Sequence, residues 1–594
     1  KRLLGNQHPR VATSLDNLAQ LYGNQGNITN ALEFQERGLK VEEHNLAYNL
    51  SGGFERQKRE YIATISATTN GVISLHLNSA LNNPKAANLA LTTILRRKGR
   101  ILDVLTNNLQ ILRQRVNDND SALLIDQLSD NYNQLASLIY NRPEKFPLEE
   151  YRKQIAELEQ KTKNLEDKLS RRSAEFRNLS QPVELADIQK LIPADAALVE
   201  IVSYEPSNPK AKPDQRFGKP HYAAYVLTST GEPRAIDLGE AEKIEQNLKS
   251  FRDSLADSNT PTKQVKQSAR GVDKLVMQPI RKLLGNKRKI LISPDRALNL
   301  IPFEALVDEN NRYLVENYSF TYLSSGRDLL RLQNQSAHKQ PAVIMADPFF
   351  NKPGEVVAVK PNQPNNTRSV DLSKINFPPL PNTRKEAESI AGILKVNPFL
   401  GSKASEPTIK QLQSPEILHI ATHGFFESSP KKPEYQDTYR DNPLLLSGLV
   451  LSGYKNRQGG GNEDGILSAL ETTALNLTGT KLAVFSACDT ALGKDITGEG
   501  IYSFRRALVI AGSESQVISL WQVADDSTKD LMVAYYQKVL GQNGKKQGRS
   551  EALRQVQLEM LRGNRGDEYQ HPYYWAAFIP SGDWRAMGST LARE

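Results

Sequence analysis

A multidomain α plus α/β architecture is the fold class this sequence predicts, and three observations predict it. Apolar residues recur at three- and four-residue spacing from about residue 8 to residue 180, the period of helices that bury one face. After Pro182, short apolar runs of strand type alternate with helical patterns, the signature of α/β construction. The length of 594 residues suits roughly three to four domains. The expected segments are a helical repeat at 1–46, a helical connecting bundle at 47–182 and an α/β domain at 183–586.

In the first segment, Pro9 suits an opening helical turn, and Val11, Leu15, Leu18, Leu21 and Tyr22 fall on one helical face. Gly23 and Gly26 mark a turn, and Ile28, Ala31, Leu32 and Leu39 continue a second apolar face. The spelling HPRVATSLDNLAQLYGNQGNITNALEFQERGL resembles a tetratricopeptide repeat of the kinesin-light-chain type. One such repeat cannot bury its face alone. The opening KRLLGNQHPR carries neither an initiator Met nor a signal peptide, so the chain reads as a piece of a longer one that ends a truncated array. Repeat arrays present concave surfaces to peptides and proteins, and the expected partner is a regulatory protein or peptide.

The second segment carries helix stripes through Ile94, Ile101, Leu105 and Leu112, and through Leu128, Tyr132, Leu135 and Ile139. Beyond Pro143 and Pro147, the residues Tyr151, Ile155, Leu158, Leu165, Leu169 and Phe176 follow a near-heptad seam that Thr162 and Arg172 interrupt. That pattern predicts an intramolecular helical hairpin rather than a dimeric coiled coil. The basic run Arg96-Arg97-Lys98 with Arg100 reads as a solvated helix face, and nucleic acid is not the expected partner.

In the third segment the strand-like runs are Ala197–Val202, Tyr222–Leu227, Lys289–Ile292, Ala342–Met345, Ile417–Ala421, Lys481–Phe485 and Gln516–Leu520. Long polar insertions at Lys352–Phe377, Glu427–Asn442 and Tyr454–Asp464 break the pattern, and loops of this length are usually functional or mobile. Two of the runs end on reactive side chains. His423-Gly424 follows Ile417–Ala421, and Cys488, the only cysteine, follows Lys481–Phe485. If these strands are parallel neighbours, an imidazole and a thiol emerge on the same sheet edge, where open α/β sheets place their chemistry. A nearby imidazole generates or stabilises the nucleophilic thiolate. The backbone N–H groups of Gly424 and Cys488 are candidate oxyanion donors. Taken alone, Cys488 is equally readable as a small buried hydrophobe. His419, inside its strand, reads as a satisfied core histidine.

HIATHGFF, SACDTALG, the GEG at 498–500, SLWQVADD at 519–526 and HPYYWAAFIPSGD at 571–583 resemble the motifs of CHAT domains, as do SPDRALNLIPFEAL at 293–306 and LPNTRKEAESIAGIL at 380–394. CHAT domains are caspase-like cysteine peptidases often found downstream of tetratricopeptide repeats, including bacterial ones. The resemblance implies a caspase–separase fold with a mainly parallel sheet, His423 as base, Cys488 as nucleophile, no cofactor and a protein substrate. It also implies that the first part of the domain forms an inactive, sheet-extending half. A scaffold that only binds partners is the alternative.

Pocket candidates are Asp489, Trp521, Asp525 and Asp526. An acidic group there would favour a basic residue before the cut. Asp525 and Asp526 serve equally as the opening of a helix, where carboxylates meet free N–H groups and the dipole, and Trp521 serves equally as core.

Composition excludes several classes. The net charge of +9 is spread along the chain, and no apolar run approaches the length of a membrane helix. One cysteine permits no intramolecular disulfide and suits a reducing, cytoplasmic compartment. Clustered His and Cys ligands for a metal are absent, as are a P-loop ending after Gly459–Gly461 and a Gly-x-Ser-x-Gly elbow.

Overall fold

The computed structural model describes residues 5–114, 118–140, 147–176, 182–208, 211, 215–355, 377–426, 442–461, 463–487, 493–496, 500–521, 523, 525–541 and 545–588. The fold class is the expected one, helices first and then α/β. The chain folds as two compact units. One holds residues 1–104, 174–334 and 495–500, and the other 105–173, 335–494 and 501–594. The division cuts across the expected segments, because helices from the N-terminal region belong to each α/β half.

In the first unit, helices Pro9–Asn24 and Ile28–Leu50 form a hairpin, with His8 and Asn27 as N-caps and Gly26 at φ +73° in the turn. Val11, Ala12, Leu15 and Ala19 are buried in it. Leu18 and Leu21, expected on the same buried stripe, are 39% and 51% exposed. The buried stripe is therefore narrower than the apolar spacing suggested.

The sheet of this unit runs in the order β3-β2-β1-β4-β5. β1 (Ala196–Tyr204) pairs antiparallel with β2 (His221–Thr228), which pairs antiparallel with β3 (Arg234–Glu240). On its other side β1 is parallel to β4 (Lys289–Ser293), and β4 to β5 (Ser319–Tyr322). Leu198, Val199, Ile201, Ile290 and Ile292 are fully buried, as strands covered on both faces require.

The basic run corrects the sequence reading. Arg97, Lys98 and Arg100 are buried rather than solvated. Arg97 pairs with Glu42, Arg100 with Glu43 at 3.2 Å and Arg96 with Glu184 at 2.6 Å. The Lys98 ammonium lies 2.8 Å from Glu200 and donates to the carbonyls of Ile201 and Ser293. Glu200 also accepts from the Gly326 N–H. These acids are remote in sequence, so nothing local revealed that the charges would be neutralised in the interior, where an unpaired charge is costly.

Glu304 is a buried carboxyl whose side chain is held by a hydroxyl rather than by a cation among the described residues. It accepts from the Tyr322 hydroxyl at 2.7 Å, and burial pushes its pKa up to about 7 from an ordinary 4.5. The folded state therefore holds a proton that the unfolded state releases between pH 4.5 and about 7. This contribution is full below pH 4.5 and is lost as pH rises through 7. Glu304→Gln should match the native protein at pH 4 and exceed it at pH 8 by on the order of 2–3 kcal/mol. Urea unfolding at the two pH values measures this; a variant less stable at pH 8 would contradict it.

In the second unit, helices Asn119–Tyr140 and Leu148–Phe176 form the expected hairpin. The residues that interrupt its seam have partners. Thr162 accepts from Asn131 at 2.6 Å, and Arg172 pairs with Asp118 at 3.1 Å.

The strands of this unit are β6 (Val343–Pro348), β7 (Phe399–Gly401), β8 (Ile417–Ala421), β9 (His423–Phe426), β10 (Ser447–Val450), β11 (Ile466–Ser468), β12 (Leu482–Ser486), β15 (Ser515–Ser519) and β16 (Phe578–Gly582), while β13 (Gly493–Ile496) and β14 (Gly500–Ser503) each include residues grouped with the first unit. Six of them form a sheet in the order β16-β15-β12-β8-β6-β7. It is parallel throughout except for β16 on β15. A small antiparallel sheet, β11-β10-β9, stands apart from it. The described residues of the insertion at Tyr454–Asp464 include a close backbone approach. A Cβ on Gly459 would lie 2.3 Å from the Gly465 nitrogen, so only glycine allows that backbone approach. Among the described residues no helix is long and apolar enough to cross a membrane.

Candidate active site

β8 and β12 are parallel neighbours, and their last matched residues are Ala421 and Ser486. The Thr422 N–H donates to the Ser486 carbonyl at 3.2 Å, which extends the pairing by one step. The Thr422 hydroxyl then donates to the Val450 carbonyl at 2.5 Å, turning the chain out of the large sheet and into β9. His423, expected at a strand end, thus also opens a second strand, opposite Val450 in β10. Gly424 follows, buried and opposite Leu449.

His423 is 3% exposed. Its Nε2 lies 2.8 Å from the Pro378 carbonyl oxygen, which can only accept. Nε2 therefore carries the hydrogen, and Nδ1 is left as the acceptor nitrogen of the neutral ring. The rings of Phe377 and Phe350 stand 5.1 and 5.6 Å from the imidazole, and both meet Tyr454 edge-on. Burial among these rings holds the His423 pKa below the ordinary imidazole value, and the contact with Pro378 opposes that.

The thiol side is described as far as Ala487, which is 5% exposed and whose carbonyl accepts from the Ser519 hydroxyl. Cys488 and Asp489 lie outside the described residues. In sequence, His423 and Cys488 each stand two residues beyond the matched pair Ala421 and Ser486. Trp521 follows β15, is buried, and donates from Nε1 to the Tyr573 carbonyl at 3.1 Å. Asp525 and Asp526 open the helix Asp525–Leu540, and the Asp526 side chain is exposed. Those positions match the helix-opening role weighed for the two acids, and Trp521 sits as a core residue with an anchored indole.

His419 is fully buried, with Nδ1 3.2 Å from the Tyr536 hydroxyl and Nε2 3.1 Å from Glu386. Among the described residues one acidic group is compact enough to share a cation: Glu406, Glu463 and Glu471. Lys410 already supplies that cation, with Nζ at 2.6, 2.7 and 2.9 Å from the three carboxylates. Neither Pro378 nor the rings around His423 were found from the sequence. Phe377 and Pro378 fall at the end of a polar insertion, and their only signal was the Phe-Pro-Pro spelling at 377–379.

Residues 266–583 match the family model described as CHAT domain. Tetratricopeptide repeat protein 28 of Homo sapiens is 24% identical over 327 residues, which is 50% of this chain and 12% of that protein. Its Mus musculus counterpart is 24% identical over 326 residues, with the same shares. The chain therefore spans a small part of these relatives' length. Among solved structures, the Arg-specific cysteine proteinase gingipain R (RgpB of Porphyromonas gingivalis) overlaps at 10% identity and a TM-score of 0.30, over 59% of this chain and 76% of that one. The Saccharomyces cerevisiae separase–securin complex overlaps at 11% identity and a TM-score of 0.37, over 92% and 40%. Both overlaps are loose, and the fold class rests on the strand order and the family match.

Proposed function

Because the chain belongs to the CHAT domain family, we propose that it is a caspase-like cysteine endopeptidase with His423 as base and Cys488 as nucleophile. His423 Nδ1 takes the thiol proton. The thiolate sulfur attacks a peptide carbonyl carbon, and the electron pair of the C=O bond moves onto oxygen. The backbone N–H groups of Gly424 and Cys488 are the donors assigned to that oxyanion. The His423 imidazolium then protonates the leaving amine as the C–N bond breaks. Water, deprotonated by the same imidazole, releases the acyl group from sulfur. No cofactor enters this scheme.

The observation that carries the reading is the His423–Pro378 contact, which leaves Nδ1 free to accept, two residues beyond the end of β8, whose parallel neighbour β12 leads into the sole cysteine. The substrate is a protein. Asp489, Trp521, Asp525 and Asp526 remain the proposed pocket residues, although the anchored indole of Trp521 and the helix start at Asp525 favour structural roles for those three.

The repeat region is assigned the binding of a regulatory protein or peptide. A groove of about 750 Å³ between helices Ile28–Leu50 and Pro84–Arg97 is lined by Glu33, Glu36, Lys40, Lys85 and Asn88, among others. Glu42 and Glu43 on the first helix pair with Arg97 and Arg100, and Lys98 between these reaches Glu200 in β1. These contacts tie the repeat to the sheet of its own unit; that the bound partner gates or targets cleavage is part of the proposal.

A peptide carrying a thiol-reactive ketone tests the reading. It should label Cys488 in the native protein, either alone or once a partner is added, and His423→Ala should suppress the labelling. An unreactive thiol in every condition would instead support the non-catalytic scaffold.

A further inference from the structure

β6 contains an irregularity that the strand itself does not need. Its register with β7 slips between Ala346 and Pro348, and Asp347, at the slip, has φ +48°. A non-glycine residue in this region is strained and persists only where its surroundings over-determine it, and such bulges re-aim a side chain. Here the carboxylate is aimed at Arg384: one oxygen of Asp347 lies 2.8 Å from Nε and 2.7 Å from Nη2. The Asp347 N–H donates to the Thr383 hydroxyl at 3.2 Å. That hydroxyl donates in turn to the Leu380 carbonyl at 2.6 Å, which also accepts from the Thr383 N–H at 3.1 Å.

Thr383 and Arg384 stand in the first turn of the helix Pro381–Leu394, whose N-cap is Leu380. The segment before it reads Phe377-Pro378-Pro379-Leu380-Pro381. Three prolines with fixed φ make it a stiff lever, so holding the Leu380 carbonyl also holds the Pro378 carbonyl two residues away. That carbonyl is the one on His423 Nε2, and Phe377 supplies a ring against the same imidazole.

We infer that Asp347, Thr383 and Arg384 form a bracket that positions the Pro378 carbonyl on His423 and so sets which imidazole nitrogen carries the hydrogen. The three are positioning residues, acting through Pro378. The inference rests on the reading of His423 as a base. A partly exposed Asp–Arg pair contributes little stability by itself, which leaves the strained conformation of Asp347 unexplained unless the aim of the carboxylate is used.

Selective ¹³C,¹⁵N-histidine labelling of the full chain, with His423 assigned through His423→Gln, reads the tautomer and titration of this ring directly. In Thr383→Val and Asp347→Asn the low-field shift of a hydrogen-bonded Nε2–H should be lost. The titration should move to lower pH, because the carbonyl contact is what raises it. Alkylation of Cys488 should slow by about tenfold or more, as expected for a displaced base. Thr383→Ser, which keeps the bridging hydroxyl, should restore all three readings. Asp347→Gly guards against misfolding, since glycine accepts the positive φ while losing the carboxylate, and it should behave as Asp347→Asn. A native His423 Nε2–H shift and titration in folded Thr383→Val and Asp347→Gly would overturn the bracket. The histidine spectrum does not depend on the thiol. An unreactive Cys488 in the native protein, with the spectral changes present, would refute the peptidase reading and leave the bracket standing.

Discussion

Cys488→Ala should abolish cleavage of a bound protein, and His423→Ala should slow it by roughly 10²–10⁴-fold. The two losses differ because the residues are assigned different tasks. Without the sulfur there is no atom to form the acyl intermediate. Without the imidazole the thiol must lose its proton to solvent, and the leaving amine must find another acid. Combining the substitutions should add nothing to Cys488→Ala, since residues that act as a unit are not additive. Binding of a partner to the repeat region should be unchanged in both variants. Gel analysis of the partner after incubation, together with the affinity of the variants for it, separates catalysis from recruitment. Equal cleavage by the native protein and Cys488→Ala would refute the peptidase.

Lys410→Met should produce the largest loss of stability. The Lys410 ammonium lies within 2.9 Å of Glu406, Glu463 and Glu471, of which Glu406 and Glu471 are almost fully buried. Burial alone would lower the lysine's pKa, and Glu406, Glu471 and Glu463 more than reverse that. Burial likewise raises the pKa of Glu406, and it brings neighbouring Asp464 to about 7. Removing the cation leaves buried carboxylates uncompensated, at a cost of about 3–5 kcal/mol. The affected carboxyls would then hold protons in the folded state that the unfolded chain releases, so the deficit should be smaller at pH 5 and larger at pH 8. Glu406 also accepts from the Gly465 N–H. Urea unfolding at both pH values checks the prediction; a variant within about 0.5 kcal/mol of the native protein would contradict it.

What was legible in the sequence depended on how local its cause was. The parallel strands ending at Ala421 and Ser486 were readable because each is a short apolar run cut off by polar residues. Thr162 and Arg172 marked a hairpin correctly, since polar residues on a seam need partners and Asn131 and Asp118 are those partners. The basic run at Arg96–Arg100 was misread because its acids lie in a distant helix and strand. Short strands such as β5, β7 and β9 to β11 were missed for a similar reason. Three or four residues carry too little periodicity, and pairing partners rather than propensity make them strands. At the site, His423 stood out by its place after an apolar run, whereas Pro378 acts through a backbone carbonyl, which no side-chain pattern encodes. The strain at Asp347 was invisible for the same reason.

The proton relationship between His423 and Cys488 is the central claim, and the rate of alkylation of Cys488 by a small uncharged electrophile, followed against pH, tests it most directly. The chain has one cysteine, so no other thiol contributes. The account predicts that the native protein reacts well below the ordinary thiol pKa of about 8.5, and that His423→Ala moves the profile up to that value and slows the reaction at neutral pH by about tenfold or more. Superimposable profiles for the two proteins, both centred near the ordinary thiol pKa, would contradict it.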